Sequence, residues 1–344
     1  MKIVAIVLAL LLLPISGIAQ TPPPPDPVKL LINPALIFDL PLEVAIDKGL
    51  FAQQHLAVQV IVHSGSSQII IPELVRGDVD IAGISANPGF FNQFAQGFDA
   101  KIIASSSSSK RGWNPIVWLV VRQDEWDNKS IRNPRDLRGK HFDGATPGGE
   151  GWYLAHQVMT EAALAPSDLF FTEKFTTAGD WLSSLRNIND VQAMYEPSVT
   201  QFEQQKVAHR WLSIMDVDPA YQEAYLGASA KLLKARPDVV RRFLIAYVKA
   251  SKIIADGNGK WTPDVLAIFA KYSQLPPSIV AAIPTPPYTG EYGTIHTGSL
   301  EVVQRFWHTF GLVPTEQTID TLADPTFITA AQKAAGVTVP PHAR

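Results

Sequence analysis

The chain of 344 residues contains no cysteine. That excludes a disulfide framework, a thiolate metal site, a cysteine nucleophile and a lipid-modified cysteine anchor. An exported chain of this length can still bury a core without cross-links. Beyond residue 20 no apolar run is long enough to span a bilayer. Net charge is only −3, which supplies no basic footprint for nucleic acid or anionic lipid. The eight histidines form no H-E-x-x-H motif, and no serine sits in G-x-S-x-G. The glycine-rich stretch Gly144–Gly151 lacks the lysine and Ser/Thr of a phosphate-binding loop, so its glycines are read as a turn.

The N-terminus carries Lys2, an apolar run from Ile3 to Ile15, and the small residues Gly17 and Ala19 at the positions a signal peptidase reads. The run is too short to span a membrane, so residues 1–19 are expected to be a cleavable secretory signal peptide. Residues 20–27, with Thr21–Pro27 reading T-P-P-P-P-D-P, form a polyproline spacer. The mature chain is expected to be soluble and exported.

The most informative stretch runs from Val58 to Pro88. An apolar strand pattern (Val58, Val60, Ile61, Val62) turns at Ser64–Ser67, passes through a short helical pattern and resumes at Val79–Ile84 after Gly77. Two parallel strands joined by a right-handed crossover bring both exit loops to one sheet edge. In open α/β sheets that edge is where ligands bind. Gly65, Ser66 and Ser67, with Ser85 and Asn87 on the second loop, are therefore candidate binding residues. Their small side chains let a ligand approach backbone N–H groups. Upstream, Val28–Ile32 reads as a first strand and Asn33–Asp39 as a third loop at the same edge. Phe90, Phe91 and Phe94 recur on one helical face and are assigned to the core. Pro72 either places the crossover helix start near Ile70 or kinks it.

Lys101–Ala104 reads as another strand, and the serine run after it leads to the apolar strand Pro115–Val121. A domain crossing is placed there. A second α/β unit follows, with strands at His141–Asp143, Leu169–Phe171 and Val191–Met194 and a helix carrying Trp152, Tyr153 and His156. Trp211–Leu226 is irregular, and a helical return begins at Lys231, with an apolar stripe on the helix opened by Pro237. The resulting division is lobe 1 over 28–114, lobe 2 over 115–222, a lobe 1 return with C-terminal helices over 223–335, and a tail over 336–344. A mature length of about 325 residues suits two domains.

Five phrases then occur in a familiar order: V-A-I-D-K-G-L-F-A-Q-Q-H-L-A-V-Q-V (Val44–Val60), L-V-R-G-D-V-D-I-A (Leu74–Ala82), D-L-R-G-K-H-F (Asp136–Phe142), E-P-S-V (Glu196–Val199) and A-R-P-D-V-V-R-R-F-L (Ala235–Leu244). Together they resemble the SsuA/THI5-like, or NMT1-like, periplasmic solute-binding proteins over most of the chain. The resemblance implies a type II periplasmic-binding fold, two α/β lobes closing over a ligand in the cleft between them. It also implies delivery of a small solute (sulfonate, pyrimidine or thiamine precursor, or aromatic) to an ABC-transporter permease, by a monomer without cofactor or metal.

Carried onto this sequence, the resemblance places Phe38 and Asp39 at the cleft. The family's G-D-x-P turn appears as Ser85-Ala86-Asn87-Pro88, its second-lobe loop as Thr146–Glu150 with Gly149 and Glu150, and its W-E-P motif as Met194-Tyr195-Glu196-Pro197. Asp39, Glu150 and Glu196 would repel an anion unless helix N-termini or Arg111 compensate. Phe38, Trp113, Trp152 and Tyr195 offer flat surfaces for an aromatic ligand, with Trp152 and Tyr195 the preferred pair. Two other functions compete. One is an exported enzyme on the same fold using His63 with a cleft acid, since relatives include desulfinases with a cysteine nucleophile, a route closed here. The other is a ligand-sensing subunit docking on a membrane receptor.

Overall fold

The computed structural model describes residues 23–34, 36–63, 67–97, 99–108, 110, 112–143, 148–172, 178–222 and 224–340. The signal peptide, the first three residues of the spacer, Gly65, Ser66 and Arg111 fall outside that set, as do the last four residues of the tail. Among the described residues ten strands form two five-stranded sheets. The first sheet contains β1 (Asp26–Ile32), β2 (Leu56–Val62), β3 (Ile81–Ile84), β4 (Lys101–Ser107) and β10 (Ala224–Ala228), in the order β2-β1-β3-β10-β4. The second contains β5 (Val117–Arg122), β6 (His141–Asp143), β7 (Phe170–Phe171), β8 (Val191–Tyr195) and β9 (Ala208–Ser213), in the order β7-β6-β8-β5-β9.

The inner strands β1 and β5 read as near-continuous apolar runs because helices cover both faces of each sheet. β2 lies at an edge and alternates instead, leaving Val62 exposed. β1, β2 and β3 are parallel, and β10 runs antiparallel to both β3 and β4, so β1 to β4 all end at one edge. In the second sheet β6, β7 and β8 are parallel and β5 opposes β8 and β9. Each sheet thus takes its one reversed strand from a chain segment arriving from the other lobe. The two crossings span residues 108–116 and 214–223, and the helices after β10 return to the first sheet.

Four elements depart from the pattern read in sequence. The serine run is not a loop from Ser105 onward, because β4 continues through Ser107. β9 and β10 occupy the stretch that looked irregular. Gly227 interrupts the apolar pattern of β10 because a Cβ there would stand 2.8 Å from both Ile84 Cδ1 and Leu74 Cδ2. The crossover helix starts at Ser67 and holds Pro72 in its interior. Beyond the helix Thr297–Thr309, a further helix, Pro325–Ala334, packs on β4 and on the long helix Pro237–Ala255. The Phe90–Phe94 face is core, as its spacing predicts.

Gln222 fixes the crossings in place. Its buried side-chain amide donates to Ser108 Oγ (3.0 Å) on the first crossing and to the Thr294 carbonyl (2.9 Å) on the return, and its Oε1 accepts from His296 N (2.7 Å). Its own N–H donates to Ser299 Oγ at 3.0 Å. Removing the amide strands buried backbone partners, each costing roughly 1–3 kcal/mol. Gln222→Ala is expected to lower unfolding free energy by about 3 kcal/mol, read from a urea midpoint at unchanged slope.

Candidate functional site: the seam between the lobes

The carboxyl ends of the parallel strands carry the loops that meet between the lobes. They meet at three places. Phe38, on the loop after β1, meets Tyr195 at the end of β8 edge-to-face, with ring centroids 6.2 Å apart. Gly148, just before the helix Glu150–Ala162, sits against Pro88 at the start of the helix Pro88–Ala95. A Cβ on Gly148 would lie 3.0 Å from the proline ring, and its φ of +95° suits glycine alone. Trp152 completes the seam against Trp307, 5.8 Å away and stacked.

Asp39 follows Phe38 and is buried at the ends of β1 and β3. Its Oδ2 accepts from Asn33 N at 2.7 Å, and its Oδ1 overhangs Gly83, where a Cβ would come within 2.9 Å of it. Burial pushes its carboxyl up to about 7 against the lowering effect of the Asn33 bond. One helical turn on, Glu43 is fully buried, and neither of its oxygens has a hydrogen-bond partner among the described residues. Burial, reinforced by the charge on Asp39, pushes it up to about 10. The first lobe therefore holds a pair of carboxyls that keep protons an ordinary acid would lose.

From the second lobe, Glu150 enters the seam as the first residue of its helix, buried to 8% exposure. Its charge raises the pKa of both Tyr221 and Tyr225 on the second crossing and β10, although burial is the larger cause for each. Tyr221 stacks on Tyr153 at 4.9 Å, and Tyr153 donates its hydroxyl proton to Asp218 at 2.7 Å. Gly149 is the N-cap of this helix, its carbonyl accepting from Trp152 and Tyr153.

Trp152 lies in an aromatic cluster bridging the lobes rather than standing alone over an open cleft. It meets His156 at 3.8 Å, Phe310 at 4.8 Å and Phe306 at 5.7 Å, while Trp307 donates its indole N–H to the Ala86 carbonyl on the loop after β3. Burial lowers His156 to about 4, so it is neutral and packs as an aromatic.

The remaining candidates have other surroundings. Asn87 caps the helix Pro88–Ala95, accepting from Phe90 N at 2.9 Å, and Ser85 is half-buried on the same loop. Glu196 bonds to Arg210, Asn114 and the Thr200 N–H, so its oxygens hold β8, β9 and the first crossing together. Trp113 sits on that crossing, 5.0 Å from Tyr288 and beside Lys110. Ser67 begins its helix. His63 donates its backbone N–H to the Ile32 carbonyl, and no described carboxylate lies within ion-pair distance of its ring. Among the described residues no three His, Asp or Glu side chains gather as a metal ion would need. Sequence reasoning missed Glu43, Tyr221, Tyr225 and the Phe306-Trp307-Phe310 group. Only the last had a signal, aromatics at helical spacing.

The paired five-stranded sheets, each with one reversed strand, define a type II periplasmic-binding-protein fold. Residues 40–257 match the model of the NMT1/THI5-like family, and the chain belongs to that family. Among solved structures, it is similar to the nitrate-binding protein NrtA of Synechocystis PCC 6803 (TM-score 0.73, 13% identity, 92% of this chain and 91% of that one). It is similar also to the alkanesulfonate-binding protein SsuA of Xanthomonas axonopodis pv. citri bound to MOPS (TM-score 0.67, 16% identity, 85% and 95%). A third is the desulfurization enzyme DSZB (TM-score 0.66, 14% identity, 90% and 99%). No curated protein is significantly similar in sequence.

The acid pair sets a pH dependence. The folded chain holds protons on Asp39 and Glu43 where the unfolded chain, with ordinary values of 3.8 and 4.5, has lost them. Stability therefore falls as pH rises above about 4; the loss from Asp39 ends near pH 7 and that from Glu43 continues toward 10. Glu43→Gln keeps the neutral shape and removes the unfolded-state charge. It is expected to stabilise by about 3 kcal/mol at pH 7 and by almost nothing at pH 4, measured by chemical denaturation at both values. Gly148→Ala is expected to hold the seam apart, seen as a larger radius of gyration by small-angle scattering with the far-ultraviolet circular dichroism unchanged.

Proposed function

We propose that this protein captures a small organic solute between its lobes and passes it, chemically unchanged, to the permease of an ATP-driven importer, working outside the cytoplasmic membrane. The observation that carries the reading is the seam itself. Loops from the carboxyl ends of both sheets converge there, bringing rings and buried acids from both lobes, and only two peptide crossings connect the halves. Such an arrangement couples ligand contacts on both lobes to closure by hinge motion. Family membership supports the same reading, and the nitrate- and sulfonate-binding proteins of this fold are solute binders by name. The solute classes considered are sulfonates, pyrimidine or thiamine precursors, and aromatic compounds, with Phe38, Asp39, Glu150 and Tyr195 as the contacts offered.

An enzyme of the same fold is the principal alternative, because DSZB shows that the architecture can carry chemistry. The present chain has no cysteine, and the acid–base route through His63 lacks a neighbouring carboxylate among the described residues. Thermal unfolding against a panel of small organic solutes tests the reading. A ligand bound only to the native state at about 100 times its Kd adds roughly 2.7 kcal/mol of stability. Stabilisation with the solute recovered unchanged is the expected result; recovery of a product would make the protein an enzyme.

A further inference from the structure

The helix Thr297–Thr309 is fastened to the first lobe. Trp307 donates its indole N–H to the Ala86 carbonyl after β3 at 3.0 Å, and Asn92 Nδ2 donates to the Leu312 carbonyl just beyond the helix at 2.9 Å. The helix packs on Pro88–Ala95 and on the short helix Ile319–Leu322, which itself packs on β4. Near its N-terminal end, Ser299 Oγ accepts from the N–H of Gln222 on the second crossing. Its grip on the second lobe is of another kind, made by rings. The helix Glu150–Ala162 packs on β5 and β8 of the second sheet and meets this helix through Trp152, Tyr153 and His156. Phe306 lies edge-to-face on Tyr153 at 4.7 Å, Trp307 stacks on Trp152, and Phe310 meets Trp152 at 4.8 Å and His156 at 4.6 Å.

Ring pairs in edge-to-face or stacked geometry attract beyond the area they bury. All six of these rings belong to the chain itself, so their attraction acts with or without a solute. The first of them on the helix, Phe306, lies about two turns from Ser299, roughly 10 Å along the axis, and Phe310 lies further still. A rotation of one lobe about the crossing at Gln222 therefore pulls the rings apart while the Gln222–Ser299 bond stays near the pivot. Resting on the capture reading above, we infer that Phe306, Trp307 and Phe310 form a clasp between the lobes. The clasp holds the halves together on its own account, so the solute-free protein already samples the joined arrangement and the solute completes a closure that the chain has begun.

Phe310 is 41% exposed, so truncating it removes two interlobe ring contacts without opening a hole in the core. Spin labels on Gln96→Cys and Lys129→Cys, exposed positions of opposite lobes, report the ratio of separated to joined lobes by pulsed dipolar spectroscopy. The protein is first freed of solute by unfolding and refolding. Phe310→Ala is expected to raise that ratio roughly five- to tenfold, and Phe306→Ala with Phe310→Ala to raise it further. Arg305→Ala, exposed on the same helix but presenting no ring, is expected to leave it unchanged. Matching far-ultraviolet circular dichroism shows that the variants are folded. A ratio unmoved in both ring variants, or raised as much by Arg305→Ala, overturns the clasp and leaves solute capture standing. Failure of capture shows separately, as a product recovered from the solute panel.

Discussion

Everything the two lobes can do depends on the reversed strand that each sheet receives from the other half of the chain. β10 lies between β3 and β4, and β5 between β8 and β9, so neither crossing can slide without breaking a ladder in the middle of a sheet. On the capture reading, motion is left to the two connections between the sheets, within 108–116 and 214–223. Gln222 narrows it further by tying one crossing to the other and both to the helical return. On the capture reading, closure is a rotation about these two segments that brings the loops of the seam onto the solute.

The chemistry of that seam follows from burial more than from any motif. Asp39 and Glu43 are one helical turn apart, and removing both from water makes each retain its proton into a range where exposed acids are ionised. Such a pair costs stability at neutral pH. Glu196 shows the contrasting fate of an acid: with Arg210, Asn114 and the Thr200 N–H around it, its oxygens are consumed by the fold.

Much of the architecture was legible in the residues because it rests on local periodicity. The β2–β3 crossover, the Phe90–Phe94 face and the helix from Pro237 each carry a repeat of two or 3.6 that survives tertiary packing. β9 and β10 were not legible, since A-H-R-W-L-S mixes polar and apolar residues and β10 carries Gly227 where the Leu74 and Ile84 side chains crowd in. The site was half legible. The family resemblance brought Phe38, Asp39, Glu150 and Tyr195 forward, yet neither it nor strand-end position could show that Trp152 would be drawn into a cluster with Phe306, Trp307 and Phe310, more than a hundred residues away in the chain. Nor could it show that Glu43 would be buried with no hydrogen-bond partner among the described residues, on a helix whose first six residues are all buried. Those outcomes depend on how separate elements pack, which no window of sequence contains.

The central claim is that solute and closure are one event. The absence of cysteine makes it directly measurable, because Gln96→Cys and Lys129→Cys place two unique spin labels on exposed positions of opposite lobes. Inter-label distances from pulsed dipolar spectroscopy would be compared for protein purified with its solute and protein stripped of it by unfolding and refolding. One narrow distance with solute, joined by a longer and broader population without it, is the predicted result. Identical distributions in the two states would contradict the account.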